Sequence, residues 1–536
     1  MAKLRSSAND IRKMMVASFA TLRRWKSLSF ASVSDMSTLK PIITICGTTG
    51  VGKSNLAIEL ALKLAQGTHG WKGARIINAD SMQVYTGMDV ITNKVPVAER
   101  MGVEHLLMDF KQPGEQYVVG QWIQDAIKAI DETHRMDKIP IIVGGTSYWI
   151  QHLIFPNRLP TVAQSLSDSV AQSIANLPPD LLELFNALPE QTPSAASHPE
   201  DALLLHKLLT ALDEPVAQRW HWRDTRKVMG SLRVIKDTGK APSEIILEQS
   251  KIALVPRYRT LCFWLYAEPS ILNERLDKRV DNMIKEGLLD EIKALRAIAS
   301  SSTSSSPDAV VTEPSDESAV QQTDYTVGIY QSIGYKEFHD YLASPELSEK
   351  LFASAVEQMK YGTRQYAKRQ IRWLRNKLLP AIYSANGGTD HATALLPVYL
   401  LDATELGDQW TSCVLNQGER IMEAFLDNET LLDPLSLSER AREMLTIDVK
   451  PTSPTEVLRA RKKVVCSACT LDPSQPFMVE DGSQLEAHRR SRAHRKYAAR
   501  DKKMHGRPAK RRATVHSDIP SKVDAADQQD QQGSIV

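Results

Sequence analysis

The stretch KPIITICGTTGVGKSNLAIELALKL, residues 40–64, decides the fold. Its first part is a short, β-branched apolar run ending in Gly47, and from Lys53 onward Leu56, Leu60 and Leu64 recur at helical spacing. A strand therefore feeds a loop that opens a helix. The loop, Gly47-Thr-Thr-Gly-Val-Gly-Lys53-Ser54, fits G-x-x-x-x-G-K-[ST], in which glycines let successive backbone N–H groups converge on an anion at a helix N-terminus. The candidate phosphate-binding set is Gly47, Thr49, Gly50, Val51, Gly52, Lys53 and Ser54. Lys53 supplies a fixed positive charge, and the Ser54 hydroxyl can hold Mg²⁺.

Further runs repeat the strand signal: ARIINA at residues 74–79, IPIIV at 139–143 and TLCFWLYA at 260–267 are short, apolar and separated by helical stretches such as residues 119–130. Strands alternating with helices predict an α/β fold with a parallel P-loop sheet, whose ligands lie at the carboxyl ends of the strands. Residues 160–222, rich in Leu and Ala and broken by Pro178, Pro179, Pro189, Pro193 and Pro199, read as a helical insertion. The catalytic core is expected over 39–159 and 223–385, a mixed connecting segment over 386–459, a Cys/His module over 460–500, and a basic then polar tail over 501–536. Residues 300–324 are Ser-, Pro- and acid-rich and read as a disordered loop.

The chain has 536 residues, 66 Lys or Arg and 64 Asp or Glu, so the average charge points to no partner. The distribution does: residues 487–512 carry 12 Lys or Arg and one acid, Asp501, which makes a cationic arm suited to nucleic acid. No apolar run approaches the roughly 20 residues that span a bilayer, so no membrane partner is expected. Five cysteines do not form a disulfide framework, and a monomer is expected. Residues 1–38 are basic and Ser-rich, with Ile11, Met14, Met15, Phe19 and Leu22 at helical spacing; this suits a mitochondrial leader, and an unaddressed basic leader fits equally.

The loop does not say which phosphate compound it holds. A nucleotide hydrolase should end a later strand in an acid, yet IPIIV runs into Gly144-Gly145-Thr146. The carboxylate that does follow a strand is Asp80. It would bind metal in a kinase and act as general base in a transfer to a weak nucleophile.

Six further segments decide between these. INADSMQVYTGMD (77–89), IPIIVGGTSYWIQ (139–151), DTRKVMGSLRVIKDTGKAPSE (224–244), RVDNMIKEGLLDEI (279–292), YQSIGYKEF (330–338) and TRQYAKRQIRWLRN (363–376) resemble, in order, segments of the tRNA dimethylallyltransferase (isopentenyltransferase) family. The resemblance implies transfer of a dimethylallyl group from dimethylallyl diphosphate to the exocyclic N6 amine of the adenine 3′ of the tRNA anticodon. It implies Asp80 and Lys53 as catalytic residues and Arg279 as a further diphosphate ligand. Ser81, Met82, Gln83 and Thr146 would lie near the adenine, with Arg226, Lys227 and Arg364 on the tRNA. Thr48, Ile91 and Trp149 depart from the family pattern without removing any group assigned to chemistry.

Cys466-x2-Cys469, followed after 18 residues by His488-x5-His494, has the ligand order of a Cys2His2 zinc site, with a middle spacing longer than the common ~12. Eukaryotic members of the family can carry such a finger. Pro508 to Arg512 could add a nuclear signal; the expected compartments are mitochondrion and cytoplasm, with the nucleus as a third. One other class stays open on the residues alone, a P-loop kinase or ATP-hydrolysing enzyme; a non-catalytic RNA-binding protein is disfavoured because Lys53, Ser54 and Asp80 are all present.

Overall fold

A computed structural model describes residues 39–67, 70–159, 165–302, 328–346, 348–387, 394–447, 455, 456, 458 and 462–505. The leader 1–38, most of the acidic loop and the end of the basic tail lie outside these residues. The chain divides into two compact units, Met1–Gln172 with Arg233–Arg459, and Ser173–Leu232 with Ala460–Val536.

The first unit is built on six parallel strands: β1 (Pro41–Gly47), β2 (Ala74–Asn78), β3 (His105–Leu106), β4 (Ile139–Val143), β5 (Arg259–Tyr266) and β6 (Val398–Asp402). Their spatial order is β3-β2-β4-β1-β5-β6. Both faces of the central strands are covered, so Ile42, Ile43 and Ile45 of β1 are all fully buried. This is why the strands read as continuous apolar runs and not as alternations. On one face lies the helix Lys53–Ala65, which buries Leu56, Leu60 and Leu64 as its spacing requires. The long helix Glu349–Trp373 buries Met359, Thr363, Ala367 and Gln370.

Two features depart from the sequence reading. The segment 386–459 is not merely a connection: it supplies β6, which pairs with β5 from Cys262↔Val398 to Tyr266↔Asp402, and the helix Asn416–Leu426. The helical insertion and the Cys/His module, expected as separate domains, form one unit. Trp222, fully buried, donates its indole N–H to the Pro476 carbonyl at 2.7 Å, and Arg223 donates to Gln475 Oε1 at 3.1 Å. Within this unit the helix Pro199–Leu212 buries Leu205, Leu208 and Leu209. Its Pro199 sits in the first turn, where the missing N–H costs nothing.

Among the described residues, no helix is long and apolar enough to cross a membrane.

Candidate active site and finger

The carboxyl ends of β1, β2 and β4 converge because their backbones interlock. Ala79 N–H donates to Val143 O at 2.7 Å, Thr146 N–H returns to Ala79 O at 3.2 Å, and Gly144 N–H reaches Ile45 O at 3.3 Å. Residues 47–54, 80–83 and 144–146 thereby become neighbours.

The phosphate loop has Gly50 and Gly52 in the left-handed region, at φ 80° and 86°. A Cβ on Gly52 would also come within 2.5 Å of the Trp410 ring, so a side chain from the β6 segment lies directly on the loop. Lys53 Nζ donates to Thr48 O at 2.7 Å. From the helix Pro269–Lys285, Arg279 donates to Thr49 Oγ1 at 2.8 Å, while its Nε is buried with no protein hydrogen-bond partner. A buried guanidinium nitrogen of this kind suits an incoming anion. Val51 contributes backbone only, since its side chain belongs to the core.

Burial pushes Lys53 down to about 8, against the pull of Asp80 and with help from Arg279, and pushes Arg279 down to about 10. Desolvation therefore works against the charge of both cations, a penalty that a bound diphosphate would relieve. Burial, followed by the Asp80 charge, raises Tyr366 well above the ordinary phenol range.

Asp80 follows β2. Its N–H donates to Asn78 Oδ1 at 3.0 Å, and its Oδ1 accepts Met82 N–H at 3.0 Å. The carboxylate is thus fixed by its own turn, with Oδ2 directed to the space beside Gly145, where a Cβ would stand 3.1 Å away. Thr146 Oγ1 accepts Ser81 N–H at 3.1 Å and donates to Ser81 Oγ at 3.3 Å, so Thr146 orients Ser81. Met82 Sδ accepts from Ser332 Oγ at 3.4 Å. Gln83 Nε2 donates to Thr92 O and Asn93 O, which braces the turn after the strand. The same turn is pinned from below by buried Lys94, which meets Asp89, Asp109 and the Tyr85 carbonyl. A buried ammonium is tolerable only with such a full set of partners.

Arg364 is less available than expected. Its Nη1 holds both oxygens of Asp277, at 2.5 and 2.6 Å, tying the long helix to the helix Pro269–Lys285. Arg226 and Lys227 are exposed in the second unit, where Lys227 pairs with Asp224 at 2.6 Å and lies 4.8 Å from the Trp220 ring centre.

In the second unit, β7 (Lys463–Val465) and β8 (Met478–Glu480) form an antiparallel hairpin, with Cys466 and Cys469 flanking a tight turn after β7. His488 lies on the helix Ser483–Arg490 and His494 on Arg492–His505. The four donor atoms lie within 4.8 Å of one another. Each measured sulfur–nitrogen separation is 3.4 Å, and the two histidine nitrogens are 3.1 Å apart. A tetrahedral ion at ~2.3 Å from sulfur and ~2.0 Å from nitrogen needs edges of about 3.3–3.8 Å, close to this arrangement.

The chain is similar to known proteins in sequence and fold. The family model for IPP transferases covers residues 83–377. A tRNA dimethylallyltransferase of Schizosaccharomyces pombe is 35% identical over 476 residues, spanning 87% of this chain and 96% of the relative. The chain belongs to the IPP transferase family. The tRNA dimethylallyltransferase of Homo sapiens is 33% identical over 399 residues, 72% of this chain and 74% of its own length. A solved structure of a eukaryotic dimethylallyltransferase acting on tRNA matches with a TM-score of 0.63 at 30% identity, over 87% of this chain and 98% of that one. The kinase and ATP-hydrolase reading draws no support from these matches.

For an IPP transferase, two contacts went unread in the sequence. Trp410 on the loop comes from a segment with no motif of its own. Gln370 is the other: one helical turn after Tyr366, on the buried face of the long helix, it touches both the loop and the turn after β4. The i, i+4 spacing of a Tyr and a Gln facing inward was the available signal.

Proposed function

We propose that the protein transfers the dimethylallyl group of dimethylallyl diphosphate to the N6 amine of the adenine 3′ of the anticodon. The observation that carries this is one fixed carboxylate, Asp80, whose charge acts on two desolvated cations at the phosphate loop, Lys53 and Arg279, the latter bonded to Thr49 of that loop. N6 attacks the allylic carbon, the carbon–oxygen bond to diphosphate breaks with its electron pair leaving on oxygen, and the amine proton passes to Asp80. Lys53, Arg279 and the loop amides take the charge of the leaving group. Mg²⁺ usually holds few protein ligands beside substrate phosphates, so the single Ser54 hydroxyl is a fitting donor; the ion would add charge stabilisation there. An adenine must leave its stack to reach this buried centre.

Incubation with dimethylallyl diphosphate and unmodified tRNA tests the reading: the tRNA should gain the mass of one dimethylallyl group less one hydrogen. ATP turnover with no mass gain would overturn it.

The pH dependence follows from Lys53. As pH rises through about 8 the free enzyme's ammonium loses its proton and its attraction for the donor. We therefore expect kcat/KM for dimethylallyl diphosphate to fall above about pH 8. In a Lys53→Arg variant that decline should vanish; its persistence would place the titration elsewhere.

The Cys466, Cys469, His488 and His494 cluster holds Zn²⁺ in this proposal, and the neighbouring basic helices meet tRNA phosphates. Replacing the exposed Arg489, Arg492, Arg495 and Lys496 by Gln, which leaves the clasp between Trp222 and Pro476 in place, should weaken tRNA binding and flatten its salt dependence while leaving the chemical step largely intact. Equal affinity at every salt concentration would assign the arm another role.

A further inference from the structure

The Gln370 side chain is 4% exposed and lies between the two halves of the site. Its Oε1 accepts the Thr49 N–H at 2.8 Å, and its Nε2 donates to the Gly145 carbonyl at 3.1 Å. Thr49 belongs to the grip on the diphosphate and is held on its other side by Arg279. Gly145 precedes Thr146, which orients Ser81, and adjoins Asp80 Oδ2. One rigid carboxamide, anchored on a 25-residue helix, therefore spans the leaving-group side and the acceptor side.

We propose that Gln370 is a positioning residue that sets the register between donor and acceptor, holding the phosphate loop and the turn after β4 at the separation that in-line transfer requires. The inference rests on the transferase reading above. The physical case is one of geometry. An amide presents an acceptor and a donor side by side in one plane at any working pH, matching an N–H on one segment and a C=O on the other. Neither Thr49 nor Gly145 is fixed to the other by a strand ladder at this point, because both lie beyond the ends of β1 and β4. A displacement of about 1 Å between reacting atoms can cost roughly a hundredfold in rate without comparable loss of binding.

Three variants and the intact chain test this. Gln370→Met keeps the shape and removes both of these hydrogen bonds together with the one to the Tyr366 hydroxyl. We expect kcat at saturating dimethylallyl diphosphate and tRNA to fall about thirtyfold or more, with the dissociation constant for inorganic pyrophosphate changed less than about threefold. Gln370→Asn, one methylene shorter, cannot span both partners and should fare as badly.

Gln370→Glu gives a signature that loss of packing would not. Its carboxylate can accept from Thr49 but sets a second oxygen against the Gly145 carbonyl; once protonated, its O–H donates there as the amide does. The charged groups around this position are Asp80 beside Gly145 and Arg279 through Thr49, with Tyr366 on the preceding turn. The ratio of Gln370→Glu to wild-type kcat should rise about tenfold as pH falls from 8 to 5.5.

The inference is overturned if Gln370→Met keeps kcat within threefold, if its pyrophosphate affinity falls as far as its rate, or if the Gln370→Glu ratio is flat with pH. Should Gln370→Met not fold, the pH ratio of Gln370→Glu decides alone. If the wild-type chain itself transfers nothing to tRNA, the transferase reading fails instead, and pyrophosphate binding by the loop remains measurable in its own right.

Discussion

Replacing Asp80 by Asn should lower kcat about a thousandfold while leaving the grip on the diphosphate intact. Asn keeps an oxygen to accept the Met82 N–H, so the turn that shapes the base pocket survives the change. What disappears is the basic Oδ2 facing the Gly145 space, and positioned general bases contribute typically 10²–10⁴ in rate. The sign for binding is opposite. Asp80 is the negative charge nearest the two cations, and its field supports the protonated form of both Lys53 and Arg279. Its removal takes away a repulsion toward an incoming diphosphate and also some of the Lys53 charge, so the net affinity should change little near pH 7. Pyrophosphate titration by calorimetry, alongside single-turnover transfer, checks both halves. A parallel collapse of rate and affinity would mean that Asp80 holds the structure or a metal and not the proton.

Gly144→Ala should be the most damaging single methyl in the first unit. A Cβ there would stand 2.0 Å from the Ala79 carbonyl oxygen and 2.1 Å from its carbon, both backbone atoms with no rotamer to yield. To admit it, β4 must move from β2 and give up the Ala79 N–H to Val143 O and Thr146 N–H to Ala79 O hydrogen bonds. Overpacking against backbone with two lost buried hydrogen bonds falls in the exceptional range, about 4 kcal/mol or more. Urea denaturation followed by tryptophan emission would measure it, because Trp122 and Trp264 are fully buried in this unit. A cost below about 1 kcal/mol would show that the two strand ends can part freely. The residual folded protein should also be inactive, since Asp80 rides on the end of β2.

The contrast between these two positions shows what the sequence made legible. Asp80 could be picked out because a carboxylate after an apolar run is unusual, and the phosphate loop because glycines and a lysine at fixed offsets have one main use. The strands β1, β2, β4 and β5 were likewise readable, being buried on both faces. β6 was missed although VYLL is apolar: five residues surrounded by turns carry little periodicity, and its pairing with β5 is a tertiary fact. Gln370 was passed over because an inward polar residue on a long amphipathic helix declares itself only when its partners, 321 and 225 residues away in sequence, are in place. Trp410 on Gly52 is hidden for the same reason. Arg364 illustrates the converse: the family resemblance placed it on the tRNA, and the fold supplies Asp277 as its neighbour.

The clasp between Trp222 and Pro476 has a temporal side. The two residues are 254 positions apart, and a ribosome adding ~5–20 residues per second needs roughly 10–50 s to cover that distance. Throughout that interval the indole that ends fully buried has no Pro476 to cover it, so the nascent insertion presents a sticky aromatic face while most of the catalytic unit is still being made. Chains stalled before residue 476 should be cut after Trp222 by chymotrypsin, and released full-length protein should resist. Equal resistance in the stalled chains would mean that the insertion shelters this tryptophan unaided. If the stalled chains are cut, the segment around Pro476 bears on quality control: a message truncated ahead of it leaves a product marked for chaperones by its own unfinished seam.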